Sequence, residues 1–362
     1  MKHLSEFRDP SLSRSLLARL RTTATRPARI MEVCGTHTMA IFHHGLRSML
    51  PQGVELISGP GCPVCVTSGG DIDAFIKIAS RKNVRVAIFG DLLRVPGNNG
   101  SLADAAASGA KVELVYSAMD ALALAEKYPE ELIVFLSVGF ETTSPTVAAT
   151  ILAASQTETR NFCVYTSNKT IDPALELLLN DPDLQLDGLL CPGHVATIIG
   201  AHAFVPMAQR FKIPCVIGGF EPADIISALL LLLEQVNEGR HEVENGYERA
   251  VSWQGNPRAR ELSAKVFSKG ESSWRGLGLL AKSGLTIRDE YSRYDAKERL
   301  GITAKEVPEP AGCLCGAILR GQKQPPHCPL FSKGCTPASP IGPCMVSSEG
   351  TCAAWHRYGG QQ

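Results

Sequence analysis

The sequence predicts an α/β protein: two Rossmann-like parallel α/β domains facing a cleft, followed by a third domain rich in loops. Three observations carry this. Short apolar runs alternate with helical patterns from about residue 28 to 238, the most distinctive loops sit at the ends of predicted strands, and the composition changes sharply after about residue 239. Strand and helix in alternation imply parallel sheets covered on both faces.

The predicted strands are 29–33, 54–57, 84–89, 112–116, 132–138, 162–165, 188–190 and 215–217, each a short segment rich in apolar residues. Helical patterns fill 72–80, 145–154, 173–179 and 223–236. The most apolar stretch, 225–236, contains Ser227, Glu234 and Gln235 and is too short to span a bilayer, so it reads as a helix buried against a sheet. Two pairs of loops echo one another: Cys34-x-x-His37 with Cys191-x-x-His194, and Gly139-Phe140-Glu141 with Gly219-Phe220-Glu221. They suggest two related halves. The expected division is 1–26, a helical segment packing with the third domain; 27–128 and 129–240, the two α/β domains; and 241–362, the third domain. Beyond 239 Gly, Pro and polar residues increase, and no clean strand–helix alternation survives.

Lys plus Arg equals Asp plus Glu at 36 each, which gives no global attraction to nucleic acid or to an anionic membrane. The first ten residues lack the apolar core of an export signal, and a cytoplasmic location is expected. No Walker P-loop, H-E-x-x-H or G-x-S-x-G occurs, and Gly97-Asn98-Asn99-Gly100 reads as a turn rather than a dinucleotide fingerprint.

The chain has 12 cysteines, many for its length and, in a reducing compartment, not expected as structural disulfides, which leaves metal binding, catalysis or plain burial. Six of them, Cys313, Cys315, Cys328, Cys335, Cys344 and Cys352, fall in a proline-rich tail that needs something other than a hydrophobic core to order it. Cys313, Cys328, Cys335 and Cys352 are spaced C-x14-C-x6-C-x16-C. Four thiolates suit zinc or an iron–sulfur cluster, and the lack of close C-x2–4-C knuckles favours the cluster. Cys315 and Cys344 lie near enough in sequence to leave the choice of four open.

Cys62 and Cys65 form a C-x-x-C on a glycine-rich loop leading into a helix, the local pattern of a dithiol–disulfide couple, with half of a zinc site as the alternative. Cys34, at a strand end before a helix, is expected to ionise readily and to make a soft metal ligand; simple packing is the competing reading. His37 favours the ligand role, and His194 is assigned to the cleft or to structure. Thr142, Thr143 and Ser144 read as helix caps, with Pro145 in the first turn. Glu141 and Glu221, in equivalent places, are expected to line the cleft. Glu349 is expected to orient a cluster or a thiol, or to be exposed.

Six segments together resemble the hydrogenase maturation factor HypD family: 34–40 (CGTHTMA), 59–65 (GPGCPVC), 139–146 (GFETTSPT), 191–194 (CPGH), 219–224 (GFEPAD) and 344–350 (CMVSSEG). They span almost the whole chain. The resemblance implies a three-domain protein whose third domain holds a 4Fe–4S cluster on Cys313, Cys328, Cys335 and Cys352. It implies a transient iron carrying cyanide and carbon monoxide, held in part by Cys34, with Thr142 and Thr143 among the binding residues and His37, Glu141, His194 and Glu221 among the active ones. Cys62 and Cys65 would be redox thiols. The implied partners are a small HypC-type chaperone, a HypE-type cyanide donor and, indirectly, the hydrogenase large subunit. A cluster-dependent thiol–disulfide reductase and a zinc-stabilised binding module are the alternatives.

Overall fold

A computed structural model describes residues 5–361. Eight strands fall where the sequence places them: β1 (Ala28–Glu32), β2 (Val54–Ser58), β3 (Val84–Ile88), β4 (Lys111–Leu114), β5 (Leu132–Ser137), β6 (Phe162–Thr166), β7 (Gly188–Pro192) and β8 (Cys215–Gly218). A short β9 (Val243–Asn245) follows. All pairings among them are parallel, in two sheets ordered β2-β1-β7-β8-β9 and β4-β3-β5-β6.

The sheets cut across the division expected from the sequence. Residues 27–128 and 129–240 do not each hold one sheet: β1 and β2 pair with β7–β9, while β3 and β4 pair with β5 and β6. The chain starts the first sheet, leaves to build all of the second, and returns to finish the first. Local apolar pattern reveals that a strand is buried in a parallel sheet, but not which sheet receives it.

Alternation along each strand sends side chains to opposite faces. On the first sheet Ile30, Leu56, Leu190 and Val216 meet the helix Pro222–Glu238, whose Ile225, Ile226, Leu229, Leu232 and Leu233 are buried. That helix is apolar nearly all round because both its sides are covered. Its outer side takes Leu17 and Leu20 of the N-terminal helix Pro10–Thr23, and Arg8 just before that helix pairs with Glu221 at 2.6 Å. The N-terminal segment, as far as it is described from residue 5, therefore packs chiefly on the first α/β unit, and it touches 241–362, its expected partner, through the Phe7 ring under the Arg249 guanidinium at 3.8 Å; residues 1–4 lie outside the described residues. No described helix is long and apolar enough to cross a membrane.

The opposite face of the first sheet (Met31, Ile57, Leu189, Ile217) and one face of the second (Val86, Val134, Leu136, Tyr165) belong to a single apolar cluster. Cys62, Cys65, Cys315 and Cys344 are part of the same cluster.

Region 241–362 has more order than its composition suggests. β10 (Phe267–Trp274) and β11 (Gly278–Ile287) form an antiparallel hairpin anchored at its ends by the buried Phe267, Trp274 and Ile287. Beyond it come short helices, among them Cys315–Leu319 and Thr351–Tyr358. The latter lies against the helix Gly35–His43, with Trp355 and Phe42 rings 5.1 Å apart and the Arg47 guanidinium over both.

Candidate functional site

Three segments far apart in sequence converge at the end of β1. Cys34 is the extended residue that starts the helix Gly35–His43. The N–H of Gly35 donates to the carbonyl of Gly61 at 3.1 Å. A Cβ on Gly61 would overlap the N and Cα of Cys34, so glycine is what lets the Cys62–Cys65 loop lie directly on β1. On the other side a Cβ on Gly35 would come 2.6 Å from the Cβ of Glu349. Segments 33–37, 59–65 and 347–350 thus meet backbone to backbone.

Cys34 is buried, and burial followed by the nearby Glu349 carboxylate pushes its thiol up to about 11. This corrects the expectation of ready ionisation. Backbone N–H groups of Thr36 and His37 do favour the thiolate, but desolvation outweighs them. Thr36 Oγ1 donates to Glu349 Oε1 at 2.5 Å and lies 3.5 Å from His194 Nδ1. Burial raises the Glu349 carboxyl as well.

His37 is fully buried, and its Nε2 lies 3.0 and 3.2 Å from the carbonyls of Gly219 and Gly218. Carbonyls only accept, so Nε2 carries the proton. Nδ1 is then an acceptor, and it is buried without a partner. Burial brings the imidazole down to about 4, so it is neutral at physiological pH. Phe220 lies between the two histidines, 4.6 Å from the His37 ring and 4.0 Å from that of His194. His194 is exposed at the start of the helix Gly193–Ile199.

Glu141 and Glu221 have no partner in common. Glu221 is gripped by Arg8 through two bonds of 2.6 and 2.7 Å, which hold its carboxyl below the usual range. Glu141, at the end of β5 in the second sheet, accepts the Ile171 N–H at 2.9 Å; burial pushes it up to about 7, and its Oε2 is buried without a partner. Thr142 and Thr143 stand in the turn beside it. Thr143 occupies the capping position of the helix Ser144–Gln156 but makes no capping bond, and it is Ser144 Oγ that reaches Glu141 O and Ser263 Oγ.

Cys62 and Cys65 lie at disulfide distance with Cα atoms 5.2 Å apart, both buried. Behind them the hairpin braces the loop: Thr67 bridges to Trp274, and the Arg275 N–H donates to Val66 O at 2.8 Å.

All six tail cysteines line one small apolar pocket with Ile318, Phe331 and Met345. Cys315 and Cys344 sulfurs are 3.1 Å apart, and the Ile341 N–H reaches Cys335 Sγ at 3.3 Å. Among the described residues no group of three or more His, Cys, Asp or Glu is arranged around a single metal ion. A cluster makes a different demand, since its thiolates bind separate irons. An all-sulfur donor set in an apolar wall, with a backbone N–H on one sulfur, fits a cluster better than a lone ion.

The HypD profile, described as "Hydrogenase formation hypA family", matches residues 11–359. The chain belongs to the HypD family. It is 46% identical to the hydrogenase maturation factor HypD2 of Bradyrhizobium diazoefficiens, over 99% of this chain and 97% of that one. It is 45% identical to HypD of Azotobacter vinelandii over 100% and 98% of the two chains, and 44% identical to HypD of Escherichia coli over 100% and 99%. A place in hydrogenase maturation follows.

In this HypD-family chain the structure brings together Cys34, His37, His194, the Cys62–Cys65 loop and Glu349, and separates from them Glu141, Thr142 and Thr143 on the second sheet. Sequence reasoning misses Thr36, the spacer role of Phe220 and the brace from Arg275. Thr36 and Phe220 lie inside quoted motifs, so their positions were visible and their contacts were not. Arg275 carries no motif signal.

Proposed function

We propose that this chain is the cytoplasmic scaffold on which the iron group of nickel–iron hydrogenases, with two cyanides and one carbon monoxide, is put together before delivery towards the hydrogenase large subunit. A small HypC-type chaperone would share the iron, and a HypE-type donor would supply cyanide. The observation that supports this reading is the convergence of Cys34, the Cys62–Cys65 loop and the Glu349 segment through the glycine contacts at 35 and 61.

The incoming iron is the cargo. Cys34 offers it a soft sulfur ligand and must lose its proton to do so. In this reading the proton passes to the Glu349 carboxylate, whose charge raises that thiol and which accepts a hydrogen bond from Thr36. Reduction of the Cys62–Cys65 disulfide takes two electrons and two protons and breaks one S–S bond, leaving two thiols on the loop whose Gly61 touches the backbone of Cys34. Cys313, Cys328, Cys335 and Cys352 would hold a resident 4Fe–4S cluster, which when bound supplies one-electron chemistry.

The burial of both Cys62 and Cys65, 4% and 0% exposed, weighs against the reductase reading, because a protein disulfide has no route to either sulfur. Infrared spectroscopy of the anaerobic complex tests the scaffold. Cys34→Ala should abolish the cyanide and carbonyl bands while leaving the disulfide and the iron of the tail unchanged. Bands at wild-type intensity in that variant would remove the iron-ligand role.

A further inference from the structure

Arg275 stands in the turn between β10 and β11, and that turn is wedged between the C-x-x-C loop and the cysteine tail. On the loop side its N–H donates to Val66 O at 2.8 Å and its Nε to Thr67 O at 3.1 Å, while Trp274 bridges Thr67. On the tail side the next residue, Gly276, lies flat on Gly316, which follows Cys315. A Cβ on Gly276 would come 2.4 Å from the Cα of Gly316, and one on Gly316 would come 2.9 Å from the Cα of Gly276. Two backbones in contact on each side fix where this side chain begins.

The guanidinium is buried without a counter-charge. Arg275 is only 7% exposed, its Nη2 is buried with no hydrogen-bond partner, and among the described residues no carboxylate pairs with it. Glu309, on the tail side of the turn, is taken up by the Gly316 N–H at 3.3 Å. A cation held in this way is costly unless negative charge lies near it. The neighbouring groups able to become negative are sulfurs. The Arg275 charge favours the thiolate at both Cys315 and Cys344, whose sulfurs are 3.1 Å apart in the pocket shared with the other four tail cysteines.

Four thiolates around a 4Fe–4S core leave it with net negative charge, and net charge is one of the terms that set its potential. Reduction by one electron adds a further negative charge. A fixed cation nearby favours that reduced state, and an apolar pocket screens the effect far less than water does.

We infer that Arg275 is the counter-charge of the cysteine tail and sets the reduction potential of the cluster proposed there, holding it above the value that the thiolates alone would give. The inference rests on the cluster reading. Arg275 tunes and positions without ligating a metal. Through Val66 and Thr67 the same residue also fixes the loop that carries Cys65, so loop position and tail electrostatics depend on one side chain.

Dithionite titration of the anaerobic full chain at controlled potential, followed by electron paramagnetic resonance after iron and sulfide have been counted, tests this. Arg275→Gln should retain iron and sulfide yet favour the oxidised state by at least about tenfold, a downward shift of about 59 mV for one electron. Arg275→Met keeps the bulk of the stem, serves as the second neutral variant and should shift in the same direction. Arg275→Lys keeps the charge but not the planar fork, and its potential should stay near wild type. A Lys variant shifted as far as the neutral ones would reduce Arg275 to a structural brace and overturn the inference. Unchanged potentials in both neutral variants, with iron and sulfide retained, would overturn it while leaving the cluster standing. Absence of iron and sulfide from the wild-type chain would instead remove the cluster reading, and this inference with it.

Discussion

Glu141 carries one carboxylate oxygen on the Ile171 N–H and one with no partner, deep in the second α/β unit. Its folded value of about 7 stands above the ordinary 4.5. Between those two pH values the folded chain keeps a proton that the unfolded chain has lost, so stability present below pH 4.5 is lost as pH rises towards 7. The difference is on the order of 3 kcal/mol. Glu141→Gln keeps the acceptor for Ile171 and cannot ionise, so its urea stability should fall less steeply than wild type over that window, where the raised Glu32, Asp295 and Glu349 carboxyls still contribute. An unchanged pH slope in the variant would show that the carboxyl is not the cause. His37 works in the opposite direction. Its depressed value of about 4 means that stability present above 6.5 is lost as pH falls through 4, and that acid limb should survive in Glu141→Gln.

At the scale of elements the hairpin matters most, because it is the support behind the C-x-x-C loop. Trp274 is 1% exposed, donates its indole N–H to Ser283 Oγ at 2.8 Å, and stacks on Phe140. Trp274→Ala should cost about 3–5 kcal/mol in denaturant unfolding. It should also speed reduction of the Cys62–Cys65 pair by a small thiol, measured by mass spectrometry; a lowered stability with an unchanged reduction rate would separate hairpin from loop. This hairpin was invisible in the sequence. Ser268, Lys269, Glu271 and Lys282 break up its apolar alternation, and its burial is confined to its ends and to Ser283 and Gly284. The eight strands were legible because a strand covered on both faces must be a run of Val, Ile and Leu. Their distribution between two sheets was not, since pairing is set by contacts between distant segments. The site divides in the same way: Cys34, His37 and His194 announce themselves as rare residue types at strand ends, whereas the Thr36–Glu349 bond spans more than 300 residues.

For the whole molecule the tail is the element whose order depends on the proposed cluster. Cys328→Ala or Cys335→Ala should lose iron and sulfide and much of the protease resistance of residues 321–341, because that mostly exposed stretch packs on little besides the cysteine pocket. Full cluster content in both variants would end the assignment of those ligands. The order in which the chain visits its sheets has a further effect during synthesis. The second sheet is contiguous and can close as soon as β6 leaves the ribosome. The first cannot: at about 5–20 residues per second, β1 waits on the order of ten seconds or more for β7. Cys34 waits longer still, since Gly218, Gly219 and finally Glu349 must arrive before its surroundings exist. A nascent chain therefore carries this thiol beside the Cys62–Cys65 loop but without Glu349. The surroundings of Cys34 thus exist only once residue 349 has been made, so under the proposed reading a half-made chain lacks the site that would take up the iron.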